Sequence, residues 1–158
     1  MNIKETIILT EETNNKMPSL KDKVVGVWEL VSYETQDNNG NKIYPLGKDA
    51  TGFIMYHPDG YMSAQLMKQG RTAYKSGGLH HGTTEEMAEA AEGYLAYAGK
   101  FEVSEENQEL IHHMEVSMNP TWLGQKQPRV AKINGDQIVI YNGWKPEDRL
   151  VWKRVENK

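Results

Sequence analysis

His112, Arg129 and Tyr97 are the residues of this 158-residue chain whose types suit acid–base or oxyanion chemistry together. An imidazole serves as general base or acid near neutral pH, a phenol assists as a proton donor, and a guanidinium stabilises a developing oxyanion. Strand alternation sorts them by face. Leu110, His112, Met114, Val116 and Met118 share one side of an extended segment, and Ile111, His113, Glu115 and Ser117 share the other. Adjacent strand residues point to opposite faces. The first set is the more apolar, so it is assigned to the interior with His112 among methionine and valine. Arg129 shares a face with Ala131 and Ile133, while Val130 and Lys132 share the opposite one. Lysine belongs in water, so Arg129 turns inward. A buried guanidinium requires a counter-charge or several acceptors. Two readings follow. Either His112 and Arg129 hold a ligand's carboxylate, enolate or carbonyl oxygen, or they are tied to a glutamate or tyrosine and only shape the interior.

The surrounding residue types suit an apolar ligand as well as a plain core. Tyr56, Tyr61, Tyr94, Tyr97 and Trp122 offer aromatic surface with polar tips. Met55, Met62, Met67, Met114 and Met118 offer an adaptable apolar lining. Of these, Tyr56, Met62, Tyr94, Met114 and Trp122 are the candidate ligand contacts. A metal site is not expected. His80-His81 lies in a glycine-rich loop, and neighbours such as His112-His113 on a strand cannot both enter one site. The chain has no cysteine and no His-Glu-x-x-His. No phosphate-cradling loop, dinucleotide fingerprint or Gly-x-Ser-x-Gly elbow occurs either, so no cofactor is expected.

The elements that position these residues read mostly as strands. Period-two alternation or β-rich composition marks 24–35, 51–57, 61–67, 100–103, 110–118, 127–133, 137–142 and 149–155. Turn signals at Asn38-Asn39-Gly40, Pro58-Asp59-Gly60 and Asn134-Gly135-Asp136 separate several of them. In the first, Trp28, Leu30 and Ser32 fall on one face, and Val27, Glu29, Val31 and Tyr33 on the other. Thr83 with Glu86 forms a capping box. Met87, Ala90, Ala91, Tyr94, Leu95 and Ala98 then recur at helical spacing, so one helix is expected over about 83–98, stopped by Gly99. The loop 68–82 is either a lid over a mouth or an idle insertion. Roughly eight strands with one inserted helix imply an up-and-down barrel or a sandwich, and eight is about the number that just encloses one small ligand.

Composition bounds the rest. A formal net charge of −4 argues against nucleic acid, and no apolar run reaches membrane-spanning length. Residues 1–20 read as a tail, with Ile7-Ile8-Leu9 too short for a signal core, and 21–158 as the folded domain. A cytoplasmic location is the corresponding expectation.

Gly26-Val27-Trp28 resembles the Gly-x-Trp signature of lipocalin and calycin barrels, which implies that Arg154 packs over Trp28 and that the pair plugs one end. The series Tyr56 to Leu66, Tyr94 to Phe101, His112 to Ser117, Asn119-Pro120-Thr121-Trp122 and Arg129 resembles the bacterial and fungal lipocalin-like domain family, over about Gly26 to Val155. The resemblance favours His112 over His113 as the characteristic position. The expectation is an all-β, eight-stranded antiparallel lipocalin-like barrel that binds a small, largely apolar molecule, polyketide-, terpene- or fatty-acid-like. The alternative is a cofactor-free isomerase, cyclase or dehydratase using His112, Arg129 and Tyr97. A third reading is a ligand-free structural protein, dimeric through an exposed strand or the tail.

Overall fold

The alternation becomes a continuous antiparallel ladder in the computed structural model, which describes residues 16–156. Most of the expected tail, residues 1–15 with Ile7-Ile8-Leu9, lies outside the described residues. The strands are β1 (Gly26–Gln36), β2 (Lys42–Ile43), β3 (Thr51–Tyr56), β4 (Tyr61–Met67), β5 (Tyr94–Ser104), β6 (Glu109–His113), β7 (Val116–Ser117), β8 (Lys126–Asn134), β9 (Gln137–Asn142) and β10 (Arg149–Arg154). Eight of them follow one another in the order β1-β3-β4-β5-β6-β8-β9-β10. β10 then pairs back onto β1, from Trp28 opposite Arg154 to Glu34 opposite Arg149. That seam closes an eight-stranded antiparallel barrel and removes the sheet's free edges. The short β2 and β7 extend the pairing of β1 and β5.

One end of the barrel is plugged. A short helix, α1 (Leu20–Val24), stands where the sequence suggests only the approach to a strand. Ser19 and Asp22 cap it reciprocally, and Leu20 and Val24, one turn apart, are both buried. The Glu105 carboxylate accepts from the Leu20 N–H at 2.7 Å and the Lys21 N–H at 3.1 Å, which ties α1 to the β5–β6 turn. The Trp28 indole N–H donates to the Val24 carbonyl at 2.8 Å. The Arg154 guanidinium lies 4.0 Å from the Trp28 ring centroid and donates to the carbonyls of Val25 and Lys23.

The second helix corrects an expectation. α2 spans only Thr84–Glu92, opened by the Thr83–Glu86 capping box and ended at Gly93 rather than Gly99. Tyr94 to Ala98, expected as helix, begin β5, which pairs with β4 from Met67 opposite Tyr94 to Tyr61 opposite Lys100. A seven-pair ladder buries Leu66 and Tyr97 on its inner face, whereas α2 has no buried residue. Ladder formation therefore outweighs the helical spacing. Gly99 instead lies within β5, opposite Met62, where another backbone approaches closely. A Cβ there would sit 2.2 Å from the His113 carbonyl oxygen.

Two irregularities re-aim side chains. The β1–β10 register slips between Leu30 and Ser32, so Val31 bulges outward and the inner face passes to Tyr33 and Thr35. After His113 the chain leaves the β8 ladder and rejoins β5 as β7. Met114 stays buried, but Val116 and Met118, expected inside, are 62% and 46% exposed.

Candidate functional site

β6 and β8 lie side by side, with Leu110 opposite Arg129 and His112 opposite Gln127. His112 is fully buried. Its Nε2 is 2.9 Å from the Tyr56 hydroxyl, at the end of β3, and its Nδ1 is 3.4 Å from the Tyr97 hydroxyl on β5. Both ring nitrogens are thus engaged by phenols. Burial, with the Arg129 charge and then His113 adding to it, holds the imidazole well below its ordinary 6.5. The linkage sign is fixed by this direction. Below pH about 6.5 the unfolded chain binds a proton that the folded chain refuses, so stability falls as pH drops, by about 1.4 kcal/mol per unit. Urea midpoints measured from pH 7 to pH 5 should decline accordingly, and His112→Gln should flatten that decline. An equally steep curve for the variant would place the titrating group elsewhere.

Arg129 is 5% exposed. It donates to the Gln127 side-chain carbonyl at 2.5 Å and to the Pro128 backbone carbonyl at 3.0 Å. No carboxylate among the described residues lies within ion-pair distance of it. It borders a cavity of about 50 Å³ at the unplugged end of the barrel, together with Tyr97, Tyr33, Trp122, Leu66 and Leu150. Trp122 comes from a 3-10 turn, Pro120–Trp122, and meets Tyr97 edge-on at 5.5 Å between centroids. Asp148 also reaches this cavity, but its carboxylate already accepts from Thr35 Oγ1 at 2.5 Å and Asn142 Nδ2 at 3.3 Å and pairs with Lys145 at 3.3 Å. Burial, then Asp148 and Tyr97, push the Tyr33 phenol up to about 12, against the pull of Arg129.

The structure divides the candidate residues into three groups. Arg129, Tyr97 and Trp122 line the cavity. His112, Tyr56, Met62 and Met114 are buried behind or beneath it and do not line it. Tyr94 is on the outer face: its hydroxyl donates to Gln65 Oε1 at 2.5 Å and Arg71 stacks over its ring at 5.0 Å. Met55, Met67 and Tyr61 likewise face outward. The loop 68–82 is not a lid on this cavity. Arg71 donates to the Ala90 carbonyl and the Lys75 N–H to Glu86, so the loop docks on α2 outside the barrel. The cleft of about 270 Å³ between them is polar, and of its charged side chains Arg71 and Glu86 are held in these internal bonds. Among the described residues, no three His, Asp or Glu side chains gather as a metal site.

Three contributors escaped the sequence reading. Tyr33 was on the wrong face because a bulge is invisible to strict alternation. Asp148 sits in a turn, where no periodicity applies. Gln127 belonged to a recognised strand, and its place beside Arg129, two residues along on the same inner face, was the available signal.

Residues 25–155 match the profile of the lipocalin-like domain family. A relative, the 4'-hydroxy-3'-methoxypropiophenone carrier protein ppsC of Aspergillus oryzae (strain ATCC 42149 / RIB 40), is 36% identical over 107 residues, 60% of this chain and 96% of the relative. Among solved structures, a lipoprotein YedD from Klebsiella pneumoniae subsp. pneumoniae MGH 78578 matches with a TM-score of 0.41 and 15% identity over 85% of this chain and 74% of that one, too distant to bear on this site. With the profile spanning nearly the whole barrel, the chain belongs to the lipocalin-like domain family.

Proposed function

We propose that the barrel binds a small, largely apolar molecule at its open end, with an oxygen of that molecule held by Arg129. The observation that carries this reading is a guanidinium buried beside an aromatic-lined cavity, with no carboxylate among the described residues within ion-pair distance of it. Such a charge is costly unless something completes its hydrogen bonding. Trp122, Leu66 and Leu150 supply apolar and aromatic contact, and a few convergent polar groups give orientation. The relative named as a carrier of an aromatic ketone supports the same class of ligand.

The cavity of about 50 Å³ has room for a few waters, not for a ligand of ten or more heavy atoms. Loading therefore requires Trp122 and its 3-10 turn to swing outward. That turn projects from the link between β7 and β8, outside the barrel ladder. Among the described residues no helix is long and apolar enough to cross a membrane.

A titration with 4'-hydroxy-3'-methoxypropiophenone, followed by tryptophan fluorescence and calorimetry, tests the reading. Saturable 1:1 quenching is expected, and it should be largely lost in Trp122→Phe while calorimetric binding persists. No heat and no quenching with this ketone, its alkyl homologues or a fatty acid would overturn it.

A cofactor-free enzyme is the second reading, favoured by the contact of Tyr97 with His112 at the cavity wall. In it Tyr97, not His112, meets the substrate, because the imidazole is fully buried with both nitrogens engaged.

A further inference from the structure

A buried phenol with a single partner fixes the direction of a hydrogen-bond chain. The Tyr56 hydroxyl has one hydrogen-bond partner among the described residues, His112 Nε2. Tyr56 is buried, so its hydroxyl hydrogen must go to that nitrogen or be left without an acceptor. A neutral imidazole then carries its own hydrogen on Nδ1, which points to the Tyr97 oxygen. Tyr97 accepts there, and no other described residue accepts from it. Its hydroxyl hydrogen is therefore free to turn into the cavity it lines.

The other donors converge on the same space. Among the described residues Arg129 makes two side-chain bonds, to Gln127 and Pro128, and its guanidinium has five N–H hydrogens. The Tyr33 hydroxyl, also on the cavity wall, has no hydrogen-bond partner among the described residues. The one carboxylate there, Asp148, is occupied by Thr35, Asn142 and Lys145, the last balancing its charge. An unneutralised cation with free O–H donors is complementary to a negatively charged oxygen.

We propose that the site takes its ligand as an oxyanion, a phenolate or enolate on an aromatic or otherwise apolar frame, held by Arg129 and by a Tyr97 hydroxyl that Tyr56 and His112 aim. This rests on the ligand-binding reading above and adds the ligand's ionisation state and the role of the buried chain. The ligand loses its acidic proton to bulk solvent. The imidazole is not the acceptor, since both its nitrogens are engaged. Arg129 and Tyr97 touch the ligand, whereas His112 and Tyr56 are positioning residues.

The experiment compares 4'-hydroxyacetophenone, whose phenolate absorbs to the red of its phenol, with 4'-methoxyacetophenone, which has no such proton. Both are titrated at a pH where the free phenol is mostly neutral. The bound hydroxy compound should show the phenolate band and release up to about one proton per site into weak buffer, and the ether should bind roughly tenfold or more weakly. Tyr97→Phe and Tyr56→Phe, each checked for folding by circular dichroism, should both lower the bound phenolate fraction, although Tyr56 does not line the cavity. If the hydroxy compound binds with its phenol band intact, or the ether binds equally well, the oxyanion inference is overturned and the binding reading stands. If Tyr56→Phe leaves the band unchanged while Tyr97→Phe removes it, the aiming role of Tyr56 and His112 is overturned. If neither compound nor any other apolar probe binds, both proposals fall together.

Discussion

Trp28→Ala should lower the unfolding free energy by about 3–5 kcal/mol, the cost of removing a large aromatic from a site that cannot collapse. Trp28 is fully buried at the plugged end, paired in the ladder with Arg154 and Ile54. Three contributions are lost together: the buried ring area, the indole bond to the Val24 carbonyl and the stacking surface for Arg154. The neighbours have little freedom to fill the gap, because α1 is held by Glu105 and Arg154 by two backbone carbonyls. For a domain whose net stability is on the order of 5–15 kcal/mol, this is a large fraction. Trp28→Phe keeps most of the ring and loses the N–H, so about 1–2 kcal/mol is expected. Urea unfolding followed by circular dichroism measures both. Equal losses for the two variants would mean that the indole bond, not ring volume, dominates this end.

Arg129→Met should separate stability from binding. When one partner of a buried ion pair is removed, the charge left behind costs about 3–5 kcal/mol. Arg129 leaves no such carboxylate behind among the described residues, only the Gln127 and Pro128 carbonyl oxygens. Losing those bonds is offset by relief from burying an uncompensated cation. The unliganded domain should therefore keep its stability within about 1 kcal/mol or gain. Ligand affinity should fall by about 1.5–3 kcal/mol, roughly 10- to 150-fold, because a charge-assisted bond to the ligand oxygen disappears. Calorimetric titration and thermal unfolding of the same preparation decide it. A large loss of stability with unchanged affinity would make Arg129 a structural residue.

Much of the barrel was legible because inner and outer residues alternate without interruption in β3, β4 and β8. In those strands the burial of Ile54, Ala64, Arg129 and Ala131 follows directly from period two. The same rule placed His112 inside correctly and failed from four residues later, where the chain leaves one ladder for another and Val116 and Met118 turn out. At 87–98 two periods compete over the same alanines and tyrosines. Local spacing favours a helix, and only the β4 partner, distant in sequence, selects a strand from Tyr94 onward. The cavity was the least legible part. Its wall draws on β1, β4, β5, β8, β9, β10 and two turns, and one of its tyrosines arrives there through a single extra residue at Val31.

The β1–β10 seam also sets how the domain can be tethered. β1 starts and β10 finishes beside the Trp28–Arg154 plug, while Tyr33 and Leu150 of the same two strands border the cavity at the opposite end. A fused enzyme, a surface linker or a reporter attached next to Gly26 or Arg154 would project away from the opening. Anchored this way, an array of these domains would present every opening to the surrounding solution.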